Sequence, residues 1–166
     1  MNPVDSQNSR LVPVCIAGGI PVVLTLLYCA AMGSPLQALH RLMAYDILPP
    51  IWILSLAWLA ALFVMGAVAA DMLLCARGGL LSETAAWQGC AWIALSFALS
   101  IAWYSLLFLR FSLLSSWVSL LLSASCAALG TLAWWRVGWW RGVLGALYCL
   151  WLLALCATQL VIMLRL

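Results

Sequence analysis

The sequence predicts an all-α fold, an integral membrane bundle of five transmembrane helices, from its composition and from five long apolar runs. Of the 166 residues, 68% are hydrophobic and 7% are charged, and the mean hydropathy is +1.18. A soluble domain has about a quarter charged residues. The apolar runs predict spans at about 11–32, 50–75, 84–109, 112–134 and 142–164. Each can cross roughly 30 Å of hydrocarbon, so we expect one multi-pass membrane domain over 1–166.

Charge and cysteine content exclude several function classes. A net charge of +3, spread along the connectors, is too small and too dispersed to form a nucleic-acid-binding surface. The seven cysteines stand singly in apolar segments, without CxxC or Cys/His clusters, so neither a zinc site nor a disulfide framework is predicted. With one histidine and no acidic residue expected in the interior of a span, the groups that acid–base catalysis and proton-coupled transport normally need are hard to assemble. We assign no catalytic residue, no metal and no required cofactor.

The N-terminal part predicts a polar tail, a span and a connector. Residues 1–10 are polar, and the apolar run Leu11–Met32 is too long for a signal peptide and lacks a following A-x-A cleavage site. The connector 33–48 contains His40, the only histidine. For His40 a solvated interfacial position is favoured over an axial ligand role.

The second span begins and ends with distinct signals. Pro49 and Pro50 suit the first turn of a helix, where the N–H that proline lacks would be unpaired anyway. The span is expected to end near Asp71, and Arg77 lies in the turn that follows. Both charges are expected at the headgroup level, where an ion pair contributes little.

Two strips of small residues indicate close helix packing, because small side chains let membrane helices approach. The strip on the third span consists of Ala94, Ala98 and Ala102, preceded by Ala86 and Cys90. Packing within the bundle is its plain interpretation, and a homodimer through Cys90, Ala94, Ala98 and Ala102 is the alternative. The strip on the fourth span consists of Ser115, Ser119, Ser123 and Ala127, and we interpret it as structural.

The C-terminal part contains an aromatic cluster and one polar face. Trp134, Trp135, Trp139 and Trp140 surround Arg136 and Arg141, which is typical of a membrane–water interface and favours that interpretation over a stacked ligand site. In the last span, Tyr148, Trp151, Leu155 and Gln159 recur at helical spacing on one face. Gln159 is expected to face the bundle interior, since polar groups in membrane spans usually do.

Motifs on three spans resemble the TspO/MBR family of translocator proteins and tryptophan-rich sensory proteins. The second span fits that family's Pro-Pro-x-Trp, Trp and Met-Gly pattern through Pro49, Pro50, Trp52, Trp58, Met65 and Gly66. In the third span Trp103 and Phe108 match, and Ser100 replaces an asparagine. In the fifth span Tyr148 and Trp151 match, while Leu147 replaces a proline and Gln159 replaces an asparagine. The tryptophan that usually precedes the Pro-Pro pair is absent.

The resemblance implies a receptor-like or transport protein with a hydrophobic ligand, a porphyrin, haem-type tetrapyrrole or sterol-like molecule, in an aromatic pocket between the helices. It assigns ligand contacts to Trp52, Trp58, Ser100, Trp103, Tyr148, Trp151 and Gln159. Aromatic faces would stack on the ligand, and Gln159, Ser100 and Tyr148 would hydrogen-bond its polar edge. Some family members promote light-dependent porphyrin breakdown with tryptophans at positions matching Trp58 and Trp151. The departures from the motif favour the alternative, a ligand-free membrane scaffold or accessory subunit.

Overall fold

The computed structural model describes residues 3–31, 51–79, 82–108, 110 and 112–165. This part of the chain forms five helices and no strand: α1 Pro3–Ala31, α2 Ile51–Arg77, α3 Glu83–Phe108, α4 Leu113–Trp135 and α5 Trp139–Arg165. Every helix contains a segment of 21 to 26 residues that is long and apolar enough to cross a membrane. The predicted all-α, five-helix class is confirmed.

Three helix ends differ from the predicted spans. Helix α1 begins at Pro3, so residues 3–10, expected as a polar tail, continue the apolar helix. Helix α2 continues to Arg77, which places Asp71 within the helix instead of at its end. Helix α5 begins at Trp139, three residues before the predicted start. His40 with its connector, and the Pro49–Pro50 helix start, lie outside the described residues.

Helix α2 contacts α1, α3 and α5. Helix α4 contacts α3 and α5 on the side away from α2. Helix α4 packs extensively on both α3 and α5, and α1 packs extensively on α2. The contact of α2 with α3 and α5 is much smaller. We call these two units the α1–α2 pair and the α3–α5 triplet, and the contact between them the seam.

The α1–α2 pair is held together by a close approach at glycine. Pro21 lacks an N–H, so the carbonyl of Ala17 has no helical donor four residues later. Gly66 of α2 lies against this carbonyl, and a Cβ at Gly66 would come within 2.9 Å of the Ala17 oxygen. Gly18 lies equally close to the backbone of Phe63. The two backbones can therefore touch only because both crossing positions lack a side chain.

The α3–α5 triplet uses small residues in the same way and adds hydroxyl groups. Gly89 makes room for the indole of Trp134, and Gly145 packs against Thr131. The predicted strip on α4 is buried here at Ser119, Ser123 and Ala127, whereas Ser115 is exposed. The strip on α3 behaves differently.

The members of that α3 strip divide between the bundle and the outer surface, and Ala102 is half-buried. Ala86 is buried, and the Cys90 thiol approaches the Ala69 carbonyl of α2 at 3.6 Å. Ala94 and Ala98 are exposed on the outer surface, so the interpretation as packing within the bundle is wrong for these two. The homodimer through this face stays a prediction.

Candidate functional site

Four aromatic rings line the seam near the C-terminal end of α3. The rings of Trp58 and Trp103 have their centroids 5.8 Å apart, Trp103 and Tyr104 are 6.3 Å apart, and Tyr104 and Tyr28 are 6.1 Å apart. We call these four residues the aromatic row. It combines side chains of α1, α2 and α3, so it exists only while the α1–α2 pair lies against the triplet. Offset and edge contacts of this kind stabilise ring pairs beyond their buried area.

Gln159 connects three helices directly behind the aromatic row. The indole N–H of Trp103 donates to its Oε1 at 2.8 Å, and its Nε2 donates to the Leu113 carbonyl at 2.9 Å and to the Ser116 hydroxyl at 2.5 Å. Both Gln159 and Trp103 are buried. The prediction that Gln159 faces the interior is confirmed. Because both N–H groups of its amide are engaged, a ligand acceptor would have to displace one of these bonds to bind it.

Ser100 lies in a second polar group, shared by α3, α4 and α5. Its hydroxyl bonds the Ser96 carbonyl at 2.9 Å and the Ser123 hydroxyl at 2.8 Å. Ser123 also donates to the Ser96 carbonyl at 2.8 Å. The Tyr148 hydroxyl interacts with the side chains of Ser96 and Ser100. These hydroxyls satisfy one another inside the triplet, which is what buried polar groups require.

Two buried indole N–H groups have no hydrogen-bond partner within the described part of the chain, those of Trp134 and Trp151. Trp134 is fully buried against Gly89, where its ring fills the space beside the glycine. Trp151 is half-buried and packs against the hydrophobic core. An unpaired buried donor costs about 1–3 kcal/mol. Among the residues predicted to contact a ligand, Trp151 is therefore the one whose buried N–H has no described partner.

Direct contacts join Trp58 to Trp103 and Trp103 to Gln159, whereas Trp52 stands apart. Trp58, Trp103, Tyr148 and Trp151 belong to the core or pack against it. Ser100 and Gln159 are buried beside them through the hydrogen bonds above. Trp52, near the start of α2, is 66% exposed, and its ring faces outward.

The sequence reasoning missed an ion pair inside the bundle. The Arg141 guanidinium donates from Nε and Nη2 to Oδ2 of Asp71, at 2.9 and 2.6 Å, and from Nη2 to the Cys75 sulfur at 3.4 Å. It also lies 4.7 Å from the ring centroid of Trp140. Arg141 is buried, and the side chain of Asp71 is 30% exposed. This pair joins α2 to α5 within two candidate membrane spans, where ionisable groups are expensive and mark functional positions.

The residues of the interface belt predicted near 134–141 divide between the outer surface and the bundle interior, and the belt itself stays a prediction. Trp135, Trp139 and Trp140 are exposed, as is Arg136. Trp134 is fully buried, because Gly89 leaves room for its ring, and Arg141 turns inward to Asp71. Asp71 is paired with Arg141 and is not an isolated surface charge, and its expected position at the headgroup level stays a prediction. A signal was present, since Asp71 near the C-terminal end of α2 and Arg141 near the start of α5 have opposite charge and lie at the same end of the bundle.

The middle of the bundle is filled by apolar side chains. Met65, Met72, Leu120 and Leu152 are each at most 3% exposed. Together with Trp103, Trp134 and Tyr148 they belong to one continuous core. No group of three or more histidine, cysteine or acidic side chains that could hold a metal ion occurs among the described residues.

Over the described residues, these features define a helical bundle of five candidate membrane spans, with aromatic rings at its seam and an internal ion pair. No family model, curated protein or solved structure matches the chain. The resemblance to the TspO/MBR family stays a prediction from the sequence motifs.

Proposed function

We propose that this chain is a multi-pass integral membrane protein that binds a flat hydrophobic ligand, a tetrapyrrole or a sterol-like molecule, at the aromatic row and Trp151. The observation that supports this most is the contact of Trp58 with Trp103 across the seam. Two indoles from separately packed units offer apolar faces between which a flat molecule could insert. Transport, sensing or turnover of the ligand is the role that the TspO/MBR-like motifs favour.

The hydrogen-bonding pattern limits how such a ligand would be recognised. Trp103, Gln159 and Ser100 already use their polar groups inside the triplet. They would hold the site in shape, and contact would come from ring faces. Trp151 keeps a buried N–H without a described partner, so it would donate to a polar atom at the ligand edge. Recognition would depend on shape and apolar area more than on hydrogen bonds.

Titration of detergent-solubilised protein with protoporphyrin IX tests this proposal through tryptophan fluorescence. We expect saturable quenching, with a dissociation constant about tenfold weaker in Trp151→Phe, because a lost hydrogen bond of about 1 kcal/mol and altered contact area add up. The matched control is Trp139→Phe, since Trp139 is 73% exposed at the start of α5. Quenching that rises linearly without saturation, or equal affinities in both variants, would contradict a pocket at Trp151.

A second function, a ligand-free scaffold or accessory subunit, is favoured by a specific observation. The bundle centre is filled by Met65, Met72, Leu120 and Leu152. The exposed Ala94 and Ala98 of α3 would then contact another membrane helix. Linear quenching in the titration, together with co-purification of a second membrane protein, would support this function over ligand binding.

A further inference from the structure

We infer that the α1–α2 pair is a separable unit of the bundle, and that the Asp71–Arg141 ion pair holds it closed against the α3–α5 triplet. The division of the bundle does not depend on any ligand. It follows from where the packing is dense, where it is thin, and which polar contacts cross the seam.

Packing within each unit is far more extensive than packing between them. Helix α1 rests on α2 through the Gly18 and Gly66 approach. The triplet is joined at many levels by hydrogen bonds, from Gln159 near one end to Thr131 near the other. Helix α2 meets the triplet over a much smaller contact, mainly with apolar side chains such as Met65 and Val68. Two well-packed units joined by a thin apolar contact are expected to separate along it.

Polar contacts across the seam stand near its two ends. At the end formed by the last turns of α1 and α3, the Tyr28 hydroxyl bonds Ser105, and the Cys29 thiol approaches the Tyr104 hydroxyl at 3.8 Å. At the opposite end, Arg141 holds Asp71 with two hydrogen bonds to one carboxylate oxygen. The first set consists of neutral groups, whereas the second is a charged pair within two candidate membrane spans.

The two halves of the ion pair are anchored unequally. Arg141 lies against the ring of Trp140 on its own helix, which fixes it in the triplet. Asp71 belongs to α2, the helix with the thinner contact. Removing its carboxylate leaves a buried guanidinium without its charged partner, which is strongly unfavourable in a low-dielectric environment. We expect α2 to separate from α5 in that case, because water can then hydrate the Arg141 guanidinium.

Native cysteines report this separation without introduced labels. The Cys90 sulfur lies 3.6 Å from the Ala69 carbonyl across the seam. Cys126 and Cys156 are buried inside the triplet. The experiment measures alkylation rates by N-ethylmaleimide for each cysteine, by peptide mass spectrometry, on full-length protein in phospholipid vesicles. Cys90 is the decisive reporter, because Asp71 substitution also changes the charge beside Cys75.

In Asp71→Asn we expect Cys90 to react about tenfold faster than in the unsubstituted protein, with Cys126 and Cys156 changed by less than about twofold. The matched control is Glu83→Gln, which removes an exposed carboxylate at the same end of the bundle. Where Asp71→Asn fails to fold, Arg141→Lys keeps the charge but loses the two-nitrogen contact. It should raise the Cys90 rate by a smaller factor. An unchanged Cys90 rate, or equal acceleration of all three cysteines, would overturn the inference.

Unchanged alkylation would leave the porphyrin titration unaffected, since that titration reads Trp151 and not the ion pair. The two proposals therefore fail independently.

Discussion

Replacing Gln159 with methionine removes the polar connection of α3, α4 and α5 without leaving a large cavity, because the two side chains have similar volume. The substitution deletes the bond from Trp103 and the two bonds to Leu113 and Ser116. Hydrogen bonds between membrane helices contribute about 0.6 kcal/mol each on average and about 1.7 at most. Three of them predict a loss of about 2 kcal/mol in the free energy of unfolding.

Reversible unfolding by SDS in mixed micelles, followed by circular dichroism, measures this loss. The matched control is Thr158→Val, because the Thr158 hydroxyl bonds only the Ala154 carbonyl of its own helix. A double-mutant cycle of Gln159→Met with Trp103→Phe isolates their single bond, for which we expect a coupling of about 0.6–1.7 kcal/mol. Equal stability of the Gln159→Met and Thr158→Val variants, or a coupling indistinguishable from zero, would refute the interhelical role of Gln159.

Two further predictions use neighbouring residues as their own controls in the same unfolding assay. Gly18→Ala should destabilise the protein by about 1–3 kcal/mol, because the new Cβ would lie 2.9 Å from the Phe63 carbonyl oxygen. At Gly19 no atom lies within 4 Å of the new Cβ, so Gly19→Ala should be neutral or stabilising by up to about 1 kcal/mol. Equal effects of the two substitutions on the free energy of unfolding would contradict the close approach of α1 to α2. Ser123→Ala should cost about 1 kcal/mol, since its hydroxyl joins Ser96 and Ser100 across helices. The exposed Ser125 bonds only its own helix, so a Ser125→Ala variant as unstable as Ser123→Ala would show that the buried hydroxyl network contributes nothing.

Hydropathy predicts the helices of this protein well. A membrane span must form its backbone hydrogen bonds within its own segment, so a long apolar run is by itself enough to predict a helix. The inward position of Gln159 could be predicted too, since a side-chain amide within a span needs polar partners and finds them in the bundle interior. Neither result requires knowing which helices are neighbours. That is why both could be predicted from local sequence alone.

Features that depend on helix neighbours could not be predicted in this way. Asp71 and Arg141 are 70 positions apart, and they meet only because α2 lies next to α5 in the bundle. Trp134 and Trp135 are adjacent in sequence, yet the first is fully buried and the second is 52% exposed. The glycine that accommodates Trp134 stands on another helix, at Gly89. Composition marks such residues as interfacial, and only the partner helix decides which way each side chain turns.

The aromatic row and the ion pair are linked by the geometry of the seam. Trp58 and Tyr28 belong to the α1–α2 pair, whereas Trp103 and Tyr104 belong to the triplet, so a flat molecule between these rings must move one unit away from the other. The triplet is connected by hydrogen bonds at several depths, whereas α2 is connected by thin apolar packing and by Asp71. Movement is therefore expected in α1 and α2. If both proposals hold, a ligand that separates the rings of the aromatic row also pulls α2 away from α5 at the opposite end of the seam. The free energy of the Asp71–Arg141 ion pair then opposes ligand binding.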